Sequence, residues 1–161
     1  MDGTPSVTLH KETIAQVMAE IQPLLPRHWD ELARNKDKIA LNPNMAFYRR
    51  NEQLGGVHVF TVRHDGGLVG YVVHFVREHP HYVPHLWAVS DIFWLSPDHR
   101  GLGIGRAMFE HAEKWLKERG VSVVHYTYKA SNLAAGEVLE QLGYPLIEYG
   151  RAKCLLGGGN G

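Results

Sequence analysis

Cysteine is almost missing: Cys154 is the only one in 161 residues, so no disulfide can form within the chain. Net charge is missing too. Lysine plus arginine and aspartate plus glutamate each number 17, and no basic block stands out. That argues against a general nucleic-acid binder, which needs clustered positive charge. No apolar run approaches the length of a membrane span, so no membrane partner is expected. The N-terminus carries no signal-peptide pattern. With one cysteine, this reads as a cytoplasmic protein in a reducing compartment. H-E-x-x-H is absent and no cysteine accompanies the histidines, so no metal is expected. What is present is an ordinary globular balance, 44% hydrophobic and 21% charged, enough for one domain with a full core. Histidine is plentiful at eleven, and many of them can titrate near neutral pH.

Hydrophobic spacing gives the order of elements. Residues 1–6 read as loose, 7–9 as the start of a short strand, and 11–25 as a helix broken by Pro23 and Pro26. A second short helix covers 28–34, Asn42-Pro43-Asn44 is a turn, and 47–50 is a further helical turn. This front third, with Trp29 and Tyr48, reads either as a pocket wall that touches a substrate or as plain surface helices. Strands follow at 57–63 and 68–77 around a His64-Asp65-Gly66-Gly67 hairpin turn, then a long strand with mixed faces at 86–95. The clearest helix spans 104–119, and the stretch 121–128 reads as a buried strand. A helix capped near Asn132 runs to Leu142, one or two strands follow in 144–156, and 157–161 is a glycine-rich flexible tail. The reading is one domain over 1–156 of α/β (α+β) class. Hairpin strands lead into strand–helix–strand, so the sheet is mixed and helices flank it.

The pivotal stretch lies between the third strand and the long helix. Arg100-Gly101-Leu102-Gly103-Ile104-Gly105-Arg106 places closely spaced glycines where a helix begins. A helix start presents unpaired N–H groups and partial positive charge, which suits a phosphate. Glycine lets the ligand approach, and two flanking arginines add charge in fork geometry. A Walker loop needs Gly-Lys-Ser/Thr, whereas Gly105 is followed by Arg106. A dinucleotide fingerprint needs G-x-x-G and an acid at the end of the next strand, and neither is present.

Arg100-x-x-Gly103-x-Gly105 directly after a strand resembles the acetyl-CoA motif of the GNAT acetyltransferases, Arg/Gln-x-x-Gly-x-Gly/Ala. Asn132-Leu-Ala-Ala135 followed by Leu142-Gly143-Tyr144 is similar to that family's Asn-x-x-Ala…Leu-Gly-Phe helix. A narrower likeness, to small acetyltransferases often encoded by phages, is carried by His28-Trp29-Asp-Glu, Asn42-Pro-Asn and Gly70-Tyr71…His81-Tyr82…Asp91. The resemblance implies a GNAT fold and acetyl-CoA as donor. It implies that the pyrophosphate lies along 100–106, that Asn132 contacts the pantetheine arm, and that backbone N–H groups between Phe93 and Leu95 polarise the thioester carbonyl. The acceptor would be an amine on a small molecule or a protein. A homodimer stays open.

Attack on a thioester needs a neutral amine, hence a base. Asp91 stands nine residues before Arg100, where several enzymes of this family carry an acid on the same strand. Set among Val89, Ile92, Phe93 and Trp94, it is expected to be partly desolvated, with a raised carboxyl pKa. Its plainer reading is structural. The family's usual acid, a tyrosine seven residues after the helix asparagine, is Leu139 here. Tyr126, Tyr128 and Tyr144 are the available substitutes. His74, His79, His81 and His85 crowd one loop, which reads as an acceptor-pocket rim with His81 and Tyr82 foremost, or as a solvated loop. Two function classes remain: an N-acetyltransferase, favoured by Asp91, and a CoA-binding module without turnover, favoured by Leu139.

Overall fold

A computed structural model describes residues 6–156. The expectations for residues 1–5 and for the glycine-rich tail at 157–161 lie outside them. Five strands form one sheet in the order β1 (Val7–Glu12), β2 (Val57–His64), β3 (Gly67–Glu78), β4 (Leu86–Leu95), β5 (Val121–His125). The first four pair antiparallel, and β4 pairs parallel with β5. One face carries α1 (Ile14–Ile21), α2 (Leu25–Leu32) and α3 (Met45–Gln53). The other carries α4 (Ile104–Glu118) and α5 (Leu133–Gln141). This is the mixed, helix-flanked sheet that the order of elements implies.

Alternation along the strands feeds two cores. Val57, Val59, Tyr71, Val73 and Trp94 pack against Ile14, Val17 and Ile21 of α1. Phe60, Val62, Val72 and Ala88 pack against Met108, Phe109, Ala112 and Leu116 of α4. These sets alternate residue by residue because successive side chains of a strand point to opposite faces. Arg63 ties β1, β2 and α1 together: it forks onto Glu12 at 3.0–3.1 Å and onto Glu20 at 2.7–2.9 Å.

Several boundaries differ from the sequence reading. Lys11 and Glu12 belong to β1, paired with Phe60 and Val59, so the first helix starts only at Ile14. Thr13 and Gln16 form a capping box there, which fixes the start. The second helix begins earlier than expected, with Pro26 in its first turn, and Asn44 caps α3 by accepting from Phe47 N–H. β5 is shorter than 121–128 and is not a buried strand. It lies at the sheet edge, and Ser122 and Val123 are exposed. Among the described residues, nothing in 144–156 forms a strand. Pro145 lacks the N–H that pairing needs, and Leu146, Ile147 and Tyr149 stand exposed instead of covering the outer edge of β5.

Candidate active site

The glycine stretch opens α4 as its composition demands. After β4, Pro97–His99 form a single tight turn, and Arg100 leads into Gly101 and Gly103 at φ of +75° and +77°. These are left-handed conformations that residues with a Cβ rarely adopt, and open space surrounds both positions. Gly103 is the N-cap of α4 and offers no side chain to cap it. The first helical bond is donated by Ala107 N–H to the Gly103 carbonyl at 3.1 Å. The N–H groups of Ile104, Gly105 and Arg106 therefore have no partner inside the helix. An arc of backbone donors facing open space fits a pyrophosphate.

The arginine side chains do not flank that arc as expected. Arg100 forks onto Glu31 at 2.6 and 3.0 Å and donates through Nε to the Leu95 carbonyl at 2.8 Å. Glu31 also accepts from Trp94 Nε1 at 2.8 Å. Arg106 turns to Gln141 of α5 at 2.8 Å, with Glu110 at 3.8 Å. A carboxylate 69 residues upstream outcompetes solvent for the guanidinium because the two forks match in shape. What the loop presents to a phosphate is backbone. Leu102 is largely exposed beside it.

Between this loop and the sheet, β4 and β5 part. Their pairing ends at Val89 with His125, while β4 continues alongside β3 to Leu95. Residues 90–95 of β4 thus have no strand on their β5 side. The Ser90 hydroxyl takes the Thr127 N–H at 3.0 Å at the mouth of the gap. The Phe93 ring packs edge-on against Phe109 and Tyr126, so Phe93 offers the gap main chain, while Leu95 is buried beside Gly70 with its carbonyl taken by Arg100. Asn132 lines the gap from the other side and caps α5 through Oδ1 on Ala135 N–H at 3.4 Å, leaving its amide nitrogen available. An open strand edge between two walls fits an extended arm that carries amides.

The gap opens into a cavity of about 510 Å³ under α1, α2 and α3. Asp91 reaches it through an irregularity of the strand. Val73 of β3 faces Ile92 and His74 faces Ser90, so Asp91 is an extra residue, a β-bulge. Both Asp91 and Ile92 consequently line the cavity. Asp91 is exposed there, not desolvated among its apolar neighbours as expected. The Tyr48 hydroxyl donates to its Oδ2 at 2.5 Å. Burial, then the Asp91 carboxylate, push the Tyr48 phenol well above its ordinary range, so it stays a donor. Trp29 lines the cavity as expected of a pocket wall, and so does His28. His28 Nδ1 shares a 2.8 Å hydrogen bond with the Tyr71 hydroxyl, and burial pushes its pKa down to about 4.

The remaining candidates separate. His81 and Tyr82 do not line the cavity. They lie in the loop joining β3 to β4, where His79, Tyr82 and Trp87 stack on one another. His85 meets Ser122 at 3.0 Å, and His74 lies fully buried inside β3, so the four histidines do not share a site. Among the described residues, no three His, Cys, Asp or Glu side chains converge as a metal set. Leu139 is in the core. Of the substitute tyrosines, Tyr126 is buried, Tyr144 donates to Glu113 at 2.6 Å, and Tyr128 lines the cavity. Sequence reasoning missed the Tyr48–Asp91 pair and the Glu31–Arg100 fork. The bulge left no signal in the sequence, since apolar residues fill both faces of the strand around Asp91; the pairing alone shows the α4 face passing from Ala88 to Phe93.

Residues 18–144 match the model of the acetyltransferase (GNAT) family. The mycothiol acetyltransferase of Paenarthrobacter aurescens (strain TC1) is 30% identical over 88 residues, 53% of this chain. The match spans 26% of that relative's length. A ribosomal-protein-alanine N-acetyltransferase from Brucella melitensis biovar Abortus 2308 superposes with a TM-score of 0.75 at 20% identity, covering 95% of this chain and 99% of that one. An aminoglycoside N-acetyltransferase solved in complex with CoA gives 0.68 at 14% identity, covering 96% and 99%. These two likenesses speak for the fold. Matched over residues 18–144, which hold the glycine arc and the parted strands, this chain belongs to the GNAT acetyltransferase family.

Proposed function

We propose that the chain transfers an acetyl group from acetyl-CoA to a primary amine by direct attack, with Asp91 as base. The observation that carries this reading is the bulge that sets Asp91 in the cavity beside the parted β4 edge. Backbone N–H groups of 101–106 hold the pyrophosphate, and Asn132 with the open edge at 93–95 holds the pantetheine arm. Acetyl-CoA supplies the thioester. The ammonium gives a proton to Asp91, the neutral nitrogen forms the new C–N bond, the C–S bond breaks as the thiolate leaves, and the second nitrogen proton ends on the thiol. Tyr48 keeps one Asp91 oxygen oriented and leaves the other for the amine. Tyr128 is the one substitute tyrosine on the cavity wall from which a proton could reach the thiolate. A thiol of pKa near 8.5 also leaves without much help.

Chromatographic measurement of CoA released from acetyl-CoA over a set of primary amines tests the reading. Amine-dependent release with a matching acetylated product is the expected result. A second reading, a CoA-binding module without turnover, has Leu139 in its favour, because the family's acid position is filled by a core side chain. Tight CoA binding with no release over any amine would select it.

A further inference from the structure

The wall of the cavity beside Asp91 is mostly carbon, drawn from Ile14, Met18, Leu25, Leu32, Leu41 and Met45. Among the described lining residues, Asp91 is the only carboxylate and Lys129 the only lysine or arginine. His28 brings no charge near neutrality, since burial holds its pKa at about 4. Most acids on the surrounding elements are engaged elsewhere, and Asp30 of α2 is exposed with Lys36 at 3.8 Å. Glu31 is forked by Arg100, Glu12 and Glu20 are forked by Arg63, and Glu52 accepts the Ile14 N–H at 2.8 Å. A polycation entering here would find one counter-charge, and its other ammonium groups would lose water against hydrocarbon. A peptide terminus would bring amides to a wall whose α1, α2 and α3 sides have their backbone groups bonded within the helices, which leaves only the loop stretches at 40–43 and 127–129 and the open β4 edge to pair with them. The volume, about 510 Å³ including the gap at Asn132, leaves the acceptor the space of a small molecule.

We infer that the acceptor is a small monoamine with an apolar body, its nitrogen at Asp91 and its hydrocarbon or aromatic part filling the cavity under α1 and α2. This rests on the acetyl-transfer reading for its chemistry, but the pocket's selectivity can be measured without turnover. The probes are 2-phenylethylamine, ethanolamine, spermidine, kanamycin and a short peptide with a free N-terminus. Their kcat/KM values are compared at saturating acetyl-CoA, and their binding is followed by calorimetry in the presence of CoA. The expected result is that 2-phenylethylamine exceeds ethanolamine by at least about tenfold, the reach of a few buried methylenes. Spermidine, kanamycin and the peptide should fall below it by at least as much. In the Leu41→Asp variant, a second carboxylate on the wall should narrow the gap between 2-phenylethylamine and spermidine. Leu41 is partly exposed on a loop, so this variant should fold. Selective binding of 2-phenylethylamine with no turnover would sink the transferase reading and uphold the pocket assignment. Best turnover or tightest binding of spermidine, kanamycin or the peptide would overturn the pocket assignment and leave the transferase reading standing.

Discussion

At the scale of single residues, the chemistry concentrates on one carboxylate and one phenol. Asp91→Asn keeps the shape and removes the proton acceptor, so turnover should drop by about 10²–10⁴-fold. CoA affinity should hold, because the glycine arc lies beyond the end of β4. Tyr48→Phe should cost less, on the order of tenfold, since it removes the hydroxyl that orients Asp91 and leaves the base in place. Steady-state kinetics with a CoA titration separate the two. An Asp91→Asn enzyme with full activity would show that the amine arrives already neutral. Asp91 was legible as a candidate from its place nine residues before Arg100, where the family resemblance puts an acid on the same strand. Its surroundings were not legible. Predicting a desolvated carboxyl assumed that its chain neighbours were also its neighbours in space, and the bulge turns it out toward the cavity instead. Tyr48 and Asp91 lie 43 positions apart, and no local pattern announces such a pair.

At the scale of elements, the glycine loop and the two cores were readable, and the linkages between elements were not. Strand parity and helical spacing placed β2, β3, β4 and α4 within a residue or two, because each must bury one face. The stretch at 144–156 failed because an apolar sequence can promise a strand without any edge supplying a partner. Arg100 looked like a phosphate ligand because the carboxylate that takes it sits on α2, far off in sequence. Two variants test the division of labour. Gly103→Glu puts a side chain and a negative charge at a position with φ of +77°. It should abolish CoA binding, with a stability loss of roughly 1–2 kcal/mol from the left-handed backbone. Glu31→Gln frees Arg100 and loosens α2 against Trp94, so it should raise the KM for the amine more than that for acetyl-CoA. The reverse ordering would return Arg100 to the phosphate.

At the scale of the whole molecule, acid is the weak point. His74 is fully buried with neither ring nitrogen bonded, and burial pushes its pKa down to about 3. His28 is held at about 4 for the same reason. In the unfolded chain both take up a proton near pH 6.5, and in the fold they resist it. The unfolded state therefore binds more protons between these limits, and stability falls as pH drops through that window. His58 is held at about 4 in the same way; each histidine can remove up to about 1.4 kcal/mol per pH unit, or the three together roughly 4–6 kcal/mol between pH 7 and pH 5. Glu12, Glu20 and Glu31, whose pKa values are lowered, lose their own contribution at still lower pH. Urea midpoints taken at pH 7 and pH 5 check this, and His74→Leu should remove about a third of the difference. A pH-independent midpoint would mean that these rings already share their protons with water.

The bulge in β4 separates scaffold from chemistry in an unusually literal way. With residue 91 skipped, Ala88, Ser90 and Phe93 stay on the α4 side and Val89, Ile92 and Trp94 stay on the α1 side, in regular alternation. β5 stops pairing after Val89, so it gains and loses nothing there. The sheet would therefore be complete one residue shorter. Excising Asp91 outright should yield a chain that melts within a few degrees of the parent and carries no transferase activity. The same excision at Ile92 would throw Asp91 into a core-facing register and should prevent folding. A strand that can be shortened by one position without rewriting its neighbours lets selection add or withdraw a reactive group in a single indel, with both cores left as they are.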